Sequence, residues 1–441
     1  MHAVDSLTRF PARPECAVRI LRMTSLTSSP LTSAPKLPLV PLIALAFSTF
    51  ISVTIEMLPT GLLELMTVDL GATRAEIGWL MTIFAFTVVL TSTPLTALTK
   101  RVPRHALLVV VLAVFAIGSI ASAFAPTYAW LVVTRVITGL AHGVFWAVVA
   151  SYISLIAPRE LLTRAVSITL GGGAIAYVLG VPIGTALGQA FGWRFAFGSL
   201  AVITLLVAVL LWFLLPRVNH LDDSFSTRPI ALPDDSDGPA VPVKRIRFAQ
   251  RSLLTVILLC VITLITMTAQ YAFYSYISPY SLDVIGFPVA TLSLVLFAYG
   301  IASAGGTALA GVVFTARPRV GLATGYLLML VAVTLLLFAH DTTVALIALV
   351  IWGLGMGVLP PLLQSRILNA APSRHRDLSS ALYTSGFNFG IGSGALVGGL
   401  LLDAAGLVAL PVFFIAMVGL GLVSALVLDA VLARRPLQQS N

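Results

Sequence analysis

The chain has 441 residues, of which 58% are hydrophobic and 10% charged, far below the roughly one-quarter charged content of soluble domains. This excludes an ordinary water-soluble globular protein and points to an integral membrane protein. The net charge of +9 does not indicate nucleic-acid binding, because Lys and Arg are scattered between apolar runs and form no continuous basic face.

Residues 1–37 carry five basic and two acidic groups among several Ser and Pro, without the apolar core of a signal peptide. They are expected to form a disordered cytoplasmic tail, and Met23, just ahead of the first apolar run, is a second candidate initiator. Since about 20 apolar residues cross a bilayer as a helix, spans are expected near 38–64, 76–98, 105–124, 128–156, 164–190 and 195–215. Six more are expected near 252–281, 288–314, 320–339, 342–368, 378–403 and 406–432. Residues 216–250, rich in Asp, Pro and Ser, read as a cytoplasmic linker between two six-helix bundles at 38–215 and 251–432, and residues 433–441 as a second tail. The fold class is thus an all-α membrane protein of twelve helices in two halves. With the amino terminus inside, 23 of the 26 Lys and Arg residues fall on the inner side, so both termini are expected in the cytoplasm. Cys16 and Cys260 have no metal-ligand spacing and no plausible mutual bridge; no metal or cofactor is expected.

Two intramembrane stretches stand out. In the first span Ser48, Ser52, Glu56 and Thr60 recur every fourth position as a drifting polar stripe. In the fourth, Arg135 and His142 lie seven residues apart, about 10 Å along one face of a helix, beside Gly139 and Gly143. Ionisable groups in lipid are costly and mark functional candidates facing the protein interior, whereas four-residue glycine spacing marks close helix packing. The purely structural alternatives are a packing carboxylate tied to Arg135 and an imidazole satisfied in the core. Glu64 and Asp69, near the outer end of the first span, read as solvated.

The halves repeat at an offset of 214: Gly139 pairs with Gly353, Gly143 with Gly357, Pro158 with Pro372, Gly172 with Gly386, Gly180 with Gly394 and Gly184 with Gly398. Parallel repeats of this kind build transporters that rock about a central site. Glu56 falls opposite Gln270, Thr60 opposite Tyr274, and Arg135 opposite Leu349, so the ionisable groups belong to the first half. That asymmetry suggests a proton site in the first half and uncharged substrate contacts in the second. Tyr271, Phe273, Tyr274 and Tyr276 form either a substrate wall or an interfacial belt, and Asn388 is a polar residue in a glycine-rich span.

The Arg135-x-x-x-Gly139 signature, the fifth-span Gly172, Gly180-Val-Pro182 and Gly184, and the following Gly192-Trp193-Arg194 resemble the major facilitator superfamily, in particular its twelve-helix drug/proton antiporter branch. Glu56-Met-Leu-Pro-Thr-Gly61 and Ala141-His142-Gly143-Val-Phe-Trp146 are similar to bacterial sugar, nucleoside and chloramphenicol exporters. The resemblance implies an inner-membrane secondary transporter that acts as a monomer and exports a small molecule in exchange for protons. Glu56, Arg135 and His142 would couple the proton; Trp146, Tyr177, Gln270, Tyr274 and Asn388 would face substrate. Gly139, Gly143, Gly180, Pro182, Gly184, Arg101 and Arg104 would serve packing and gating. One departure is the loop Thr96-Ala-Leu-Thr-Lys100-Arg101-Val-Pro103-Arg104, which lacks the family's Asp, as does its repeat at 311–319; the charge relay of that loop does not carry over. Proton-coupled uptake is the alternative function. An enzyme is disfavoured because neither a His-Glu-x-x-His nor a Gly-x-Ser-x-Gly pattern occurs, and no Gly-x-x-x-x-Gly-Lys-Ser/Thr loop indicates ATP-driven transport.

Overall fold

The computed structural model describes residues 37–158, 161–216, 243–339, 341–371 and 376–433. Contacts divide the chain into Met1–Leu37, which apart from Leu37 lies outside the described residues, and Pro38–Asn441, which carries every helix named below. Among the described residues, twelve helices are long and apolar enough to cross a membrane. They are α1 (Leu39–Leu70), α2 (Arg74–Leu98), α3 (Arg104–Ala123), α4 (Tyr128–Ile156), α5, α6 (Trp193–Leu214), α7 (Val243–Tyr274), α8 (Leu292–Val312), α9 (Pro318–Phe338), α10 (Thr342–Ala370), α11 (Arg376–Ala405) and α12 (Ala409–Ala433). α5 comes in three pieces: Leu162–Ile175, a π-helical segment Ala176–Gly180, and Val181–Phe191.

Helix starts follow local chemistry. Thr73 caps α2 in a reciprocal box with Glu76. Asp341 caps α10, and the N–H groups of Val344 and Thr343 hold its carboxyl below the usual carboxylate range. The expected spans are recovered within a few residues except at α7. That helix begins at Val243, inside the stretch read as linker, and breaks after Tyr274 into short segments at Ile277–Pro279 and Tyr280–Val284. Pro279 can give no N–H to the carbonyl four residues back, which ends regular α-helix there. The acidic cluster Asp234, Asp235 and Asp237 lies outside the described residues, as do 434–441.

Packing repeats as the sequence does. Helix α1 lies on α5 and α6 as α7 lies on α11 and α12; α2 lies on α4 as α8 lies on α10. For three of the five glycine pairs the 214-residue offset holds even for which residue meets the glycine; Gly139 and Gly353, and Gly143 and Gly357, meet residues that are not offset by 214. A Cβ on Gly172 would strike Ala46, and one on Gly386 would meet Cys260; Gly180 faces Thr54 as Gly394 faces Thr268; Gly184 faces Leu58 as Gly398 faces Ala272. Each pair differs by 214 on both sides. At Gly172, Gly394 and Gly398 the neighbouring helix backbone comes within 3.0 Å of where a Cβ would sit, too close for a side chain. Between the six amino-terminal and six carboxy-terminal helices, α2 packs on α11 and α5 on α8.

Prolines inside helices orphan carbonyls, and side chains satisfy them. Pro59 leaves the Ile55 carbonyl free, and Arg135 Nη1 donates to it at 3.0 Å. Pro361 frees the Gly357 carbonyl, which accepts from Thr307 Oγ1 at 3.1 Å. Pro182 follows the π-helical segment of α5, where the regular ladder is already interrupted.

Candidate functional site

Helices α1 and α4 bring the ionisable candidates together. Glu56 is 6% exposed, and Arg135 and His142 are each 2% exposed. His142 Nδ1 lies 3.0 Å from Ser52 Oγ, one turn before Glu56, and Nε2 receives the Trp146 indole N–H at 2.6 Å. An indole nitrogen only donates, so Nε2 is an acceptor here; the ring is neutral with its proton on Nδ1, where it donates to Ser52. Glu56 Oε2 stands 3.6 Å from the same Nε2, too far for a hydrogen bond. Phe84 and Phe115 set their edges against the imidazole at 5.0 and 6.0 Å, excluding water.

Arg135 does not ion-pair with Glu56, so the alternative of a packing carboxylate tied to Arg135 is not what the structure shows; within ion-pairing distance of the carboxylate stands His142. Its guanidinium instead lies 5.3 Å from the Phe197 ring and 5.9 Å from Phe84, bonded to the carbonyl next to Glu56 in the chain. Nε and Nη2 are buried without hydrogen-bond partners. A buried cation this incompletely satisfied is costly, and its spare donors are available to a carboxylate one residue away along α1.

The second half builds a neutral counterpart. Gln270, at the repeat position of Glu56, accepts from Trp352 Nε1 at 2.9 Å and donates to the Tyr299 hydroxyl at 2.8 Å. Tyr274 packs on Tyr299 and Trp352 at 5.0 and 6.1 Å. Across the halves, the Tyr177 and Tyr271 hydroxyls meet at 2.9 Å. Tyr177, Gln270, Tyr271, Tyr274 and Tyr299 line a cavity of about 320 Å³, closed further by Ser303, Thr307, Met356 and Phe387, with no charged side chain among the described residues of its wall. Such a volume is at the lower end of the roughly 300–1,000 Å³ of small-molecule pockets. Of the four aromatics noted at 271–276, Tyr271 and Tyr274 line this cavity, whereas Phe273 stacks on Trp352 at 5.0 Å and Tyr276, just past α7, donates to the Ala395 carbonyl. Sequence reading missed Tyr299 and Trp352, although a buried amide at position 270 demanded a donor and an acceptor from neighbouring helices.

The remaining candidates are spread. Trp146 belongs with His142 and is not in the wall of this cavity, and Asn388 donates to the Thr384 carbonyl of its own helix. Gly139 and Gly143 pack on Phe84, Thr87 and Ser92 of α2. Gly180, Pro182 and Gly184 are buried where α5 crosses α1. Arg101 is exposed, while Arg104 has buried Nε and Nη1 atoms without hydrogen-bond partners. The acidic group missing from the loop at 311–319 is supplied from afar: Asp429 on α12 pairs with Arg366 and lies 3.7 Å from Arg319. Glu64 and Asp69 are not free solvated carboxylates. Arg74 Nε binds Glu64 at 2.9 Å while its Nη2 reaches Asp283 at 2.5 Å, and Asp69 binds Arg194.

Several polar contacts join the halves toward the end that carries Gly71 and Gly286. Ser278 Oγ donates to the Thr60 carbonyl at 2.6 Å, Thr82 to Gly392 at 2.9 Å and Gln189 to Val289 at 2.7 Å, beside the Arg74–Asp283 pair.

Twelve spanning helices with matching packing in the two sets of six, and a cavity walled by both, define a multi-pass membrane transporter. The family model described as Major Facilitator Superfamily matches residues 45–376 and 259–441, and the chain belongs to that family. It is 32% identical over 377 residues to a "Probable sugar efflux transporter" of Helicobacter acinonychis (strain Sheeba), covering 85% of this chain and 91% of that one. Among solved structures, a variant of the nucleoside transporter NupG superimposes with a TM-score of 0.68 at 13% identity, over 90% of this chain and 99% of the other. The peptide transporter POT in complex with sulfate gives 0.67 at 18% identity, over 91% and 95%.

Proposed function

We propose that this protein exports a small uncharged, polyhydroxylated molecule of the sugar class in exchange for protons, with Glu56 as the proton carrier. The observation that carries the proton reading is a carboxylate buried in the first half, without an ion pair to the equally buried Arg135, set beside an acceptor nitrogen of His142. An ionised carboxylate facing a lone pair in apolar surroundings is strongly disfavoured, so this arrangement is that of a protonated Glu56. The substrate reading is supported by the charge-free cavity, where phenol hydroxyls and the Gln270 amide offer hydrogen bonds and tyrosine rings offer flat faces, and by the printed name of the Helicobacter relative. In the proposed cycle Glu56 is protonated from outside, substrate enters from the cytoplasm, and the proton leaves inward as Glu56 turns to Arg135. Both termini are cytoplasmic and the membrane is the plasma membrane.

Counterflow in proteoliposomes tests the substrate class. Neutral sugars should give saturable counterflow accelerated by a pH gradient, and sugar phosphates should not. Counterflow restricted to charged compounds would contradict the reading.

A further inference from the structure

We propose that Trp146 is a positioning residue that competes with Glu56 for one lone pair, that of His142 Nε2, and so controls when the carboxyl group can share its proton with the imidazole. The proposal rests on the reading of Glu56 as proton carrier. A neutral imidazole has a single acceptor nitrogen. In this structure Trp146 occupies it at 2.6 Å, while Glu56 Oε2 waits at 3.6 Å on the same atom. Both cannot bond to it at once. When the indole turns away, the Glu56 O–H can close to hydrogen-bond distance. The proton then passes from Oε2 to Nε2, the O–H bond breaking as the N–H forms, to leave a carboxylate and an imidazolium of unchanged total charge. Ser52 Oγ, on Nδ1, accepts from the ring in either state and favours the cation.

The geometry makes that exchange feasible. Trp146 lies one helical turn from His142 on α4 and is only partly buried, so the indole has room to leave, whereas the imidazole is fixed by Ser52, Phe84, Phe115 and Phe145. The other groups within electrostatic reach of Glu56 are Arg135 on α4, Tyr177 on α5 and Tyr271 on α7.

The test is substrate-induced proton release by purified full-length protein, measured with a pH dye across a pH series. Its readout is the pH at which release falls to half. Trp146→Phe frees Nε2 to help hold the proton, so the midpoint should move up by about one pH unit, the scale of one hydrogen bond to an ionising pair. Ser52→Ala removes the acceptor that favours imidazolium and should move it down. In a His142→Asn background Trp146→Phe should move nothing. Damage to packing alone would shift both single variants alike. An unmoved midpoint in Trp146→Phe, a shift that persists without His142, or same-direction shifts in both variants would each overturn the proposal. Should Trp146→Phe not fold, nitrogen NMR of labelled wild type decides: the indole-to-Nε2 hydrogen-bond coupling must be lost over part of the pH range in which release occurs, and a coupling that persists unchanged through the whole series overturns the proposal. Failure of the parent reading is separate, and is seen as wild-type release from Glu56→Gln.

Discussion

Among single residues, the buried ionisable groups are distinguished by how few partners they have. Arg135 makes one hydrogen bond with five N–H donors available, to a carbonyl that Pro59 has orphaned. Arg135→Lys retains the charge but loses the planar group that lies between Phe84 and Phe197. Counterflow should fall about tenfold or more, the consequence of roughly 1.4 kcal/mol, with the protein still folded by size-exclusion; unchanged flux would show that the guanidinium plane is immaterial. Gln270→Leu strands the Trp352 N–H and the Tyr299 hydroxyl, each at about 1–3 kcal/mol, and should lower the melting temperature and weaken substrate binding together. Much of this was legible in the sequence. Glu56 could be placed in the first span, and Arg135 and His142 on one stripe of the fourth, from spacing and charge alone. Which of them touch could not, because matching depth along two helices says nothing about rotation about each axis. Pro59 was the overlooked signal, since a proline in a membrane helix announces a carbonyl seeking a donor.

Helices in this protein are positioned by glycines and by prolines, with opposite effects. Gly180→Leu would drive a side chain into Thr54 and should abolish monodisperse protein, whereas Gly305→Ala meets only Leu354 at 3.8 Å and should be tolerated. Size-exclusion of the two variants checks this, and a well-folded Gly180→Leu would refute the tight α1–α5 crossing. Pro59→Ala restores the N–H that Ile55 lacks and sets it in competition with Arg135; the helix should gain stability while transport falls. The glycine pairs at the 214-residue offset were readable from sequence, and those where α5 crosses α1 and α11 crosses α7 share their contact partners at the same offset. The break in α7 after Tyr274 was missed because apolar composition continues through Ile277, although Pro279, which leaves the Ser275 carbonyl without an N–H, marked the place.

For the molecule as a whole, Arg74 ties α1 to the segment after α7 through Glu64 and Asp283, at the end where the halves meet. If these pairs hold that end shut, a cysteine placed at Thr82 should become labelled by an impermeant thiol reagent on that side in Arg74→Asp. The double change Arg74→Asp with Asp283→Arg should restore protection, and labelling unaffected by either would exclude a closing role. The same reagent, applied to intact cells, should spare a cysteine at Asp235 and label one at Gly286 if both termini are cytoplasmic. The central claim is that Glu56 carries the proton that drives export, and substrate-induced proton release from purified protein tests it most directly. Wild type should release protons when a transported neutral sugar binds, and Glu56→Gln, which installs the residue its own repeat uses, should bind the sugar and release none. Release from Glu56→Gln equal to that of the wild type would contradict the account.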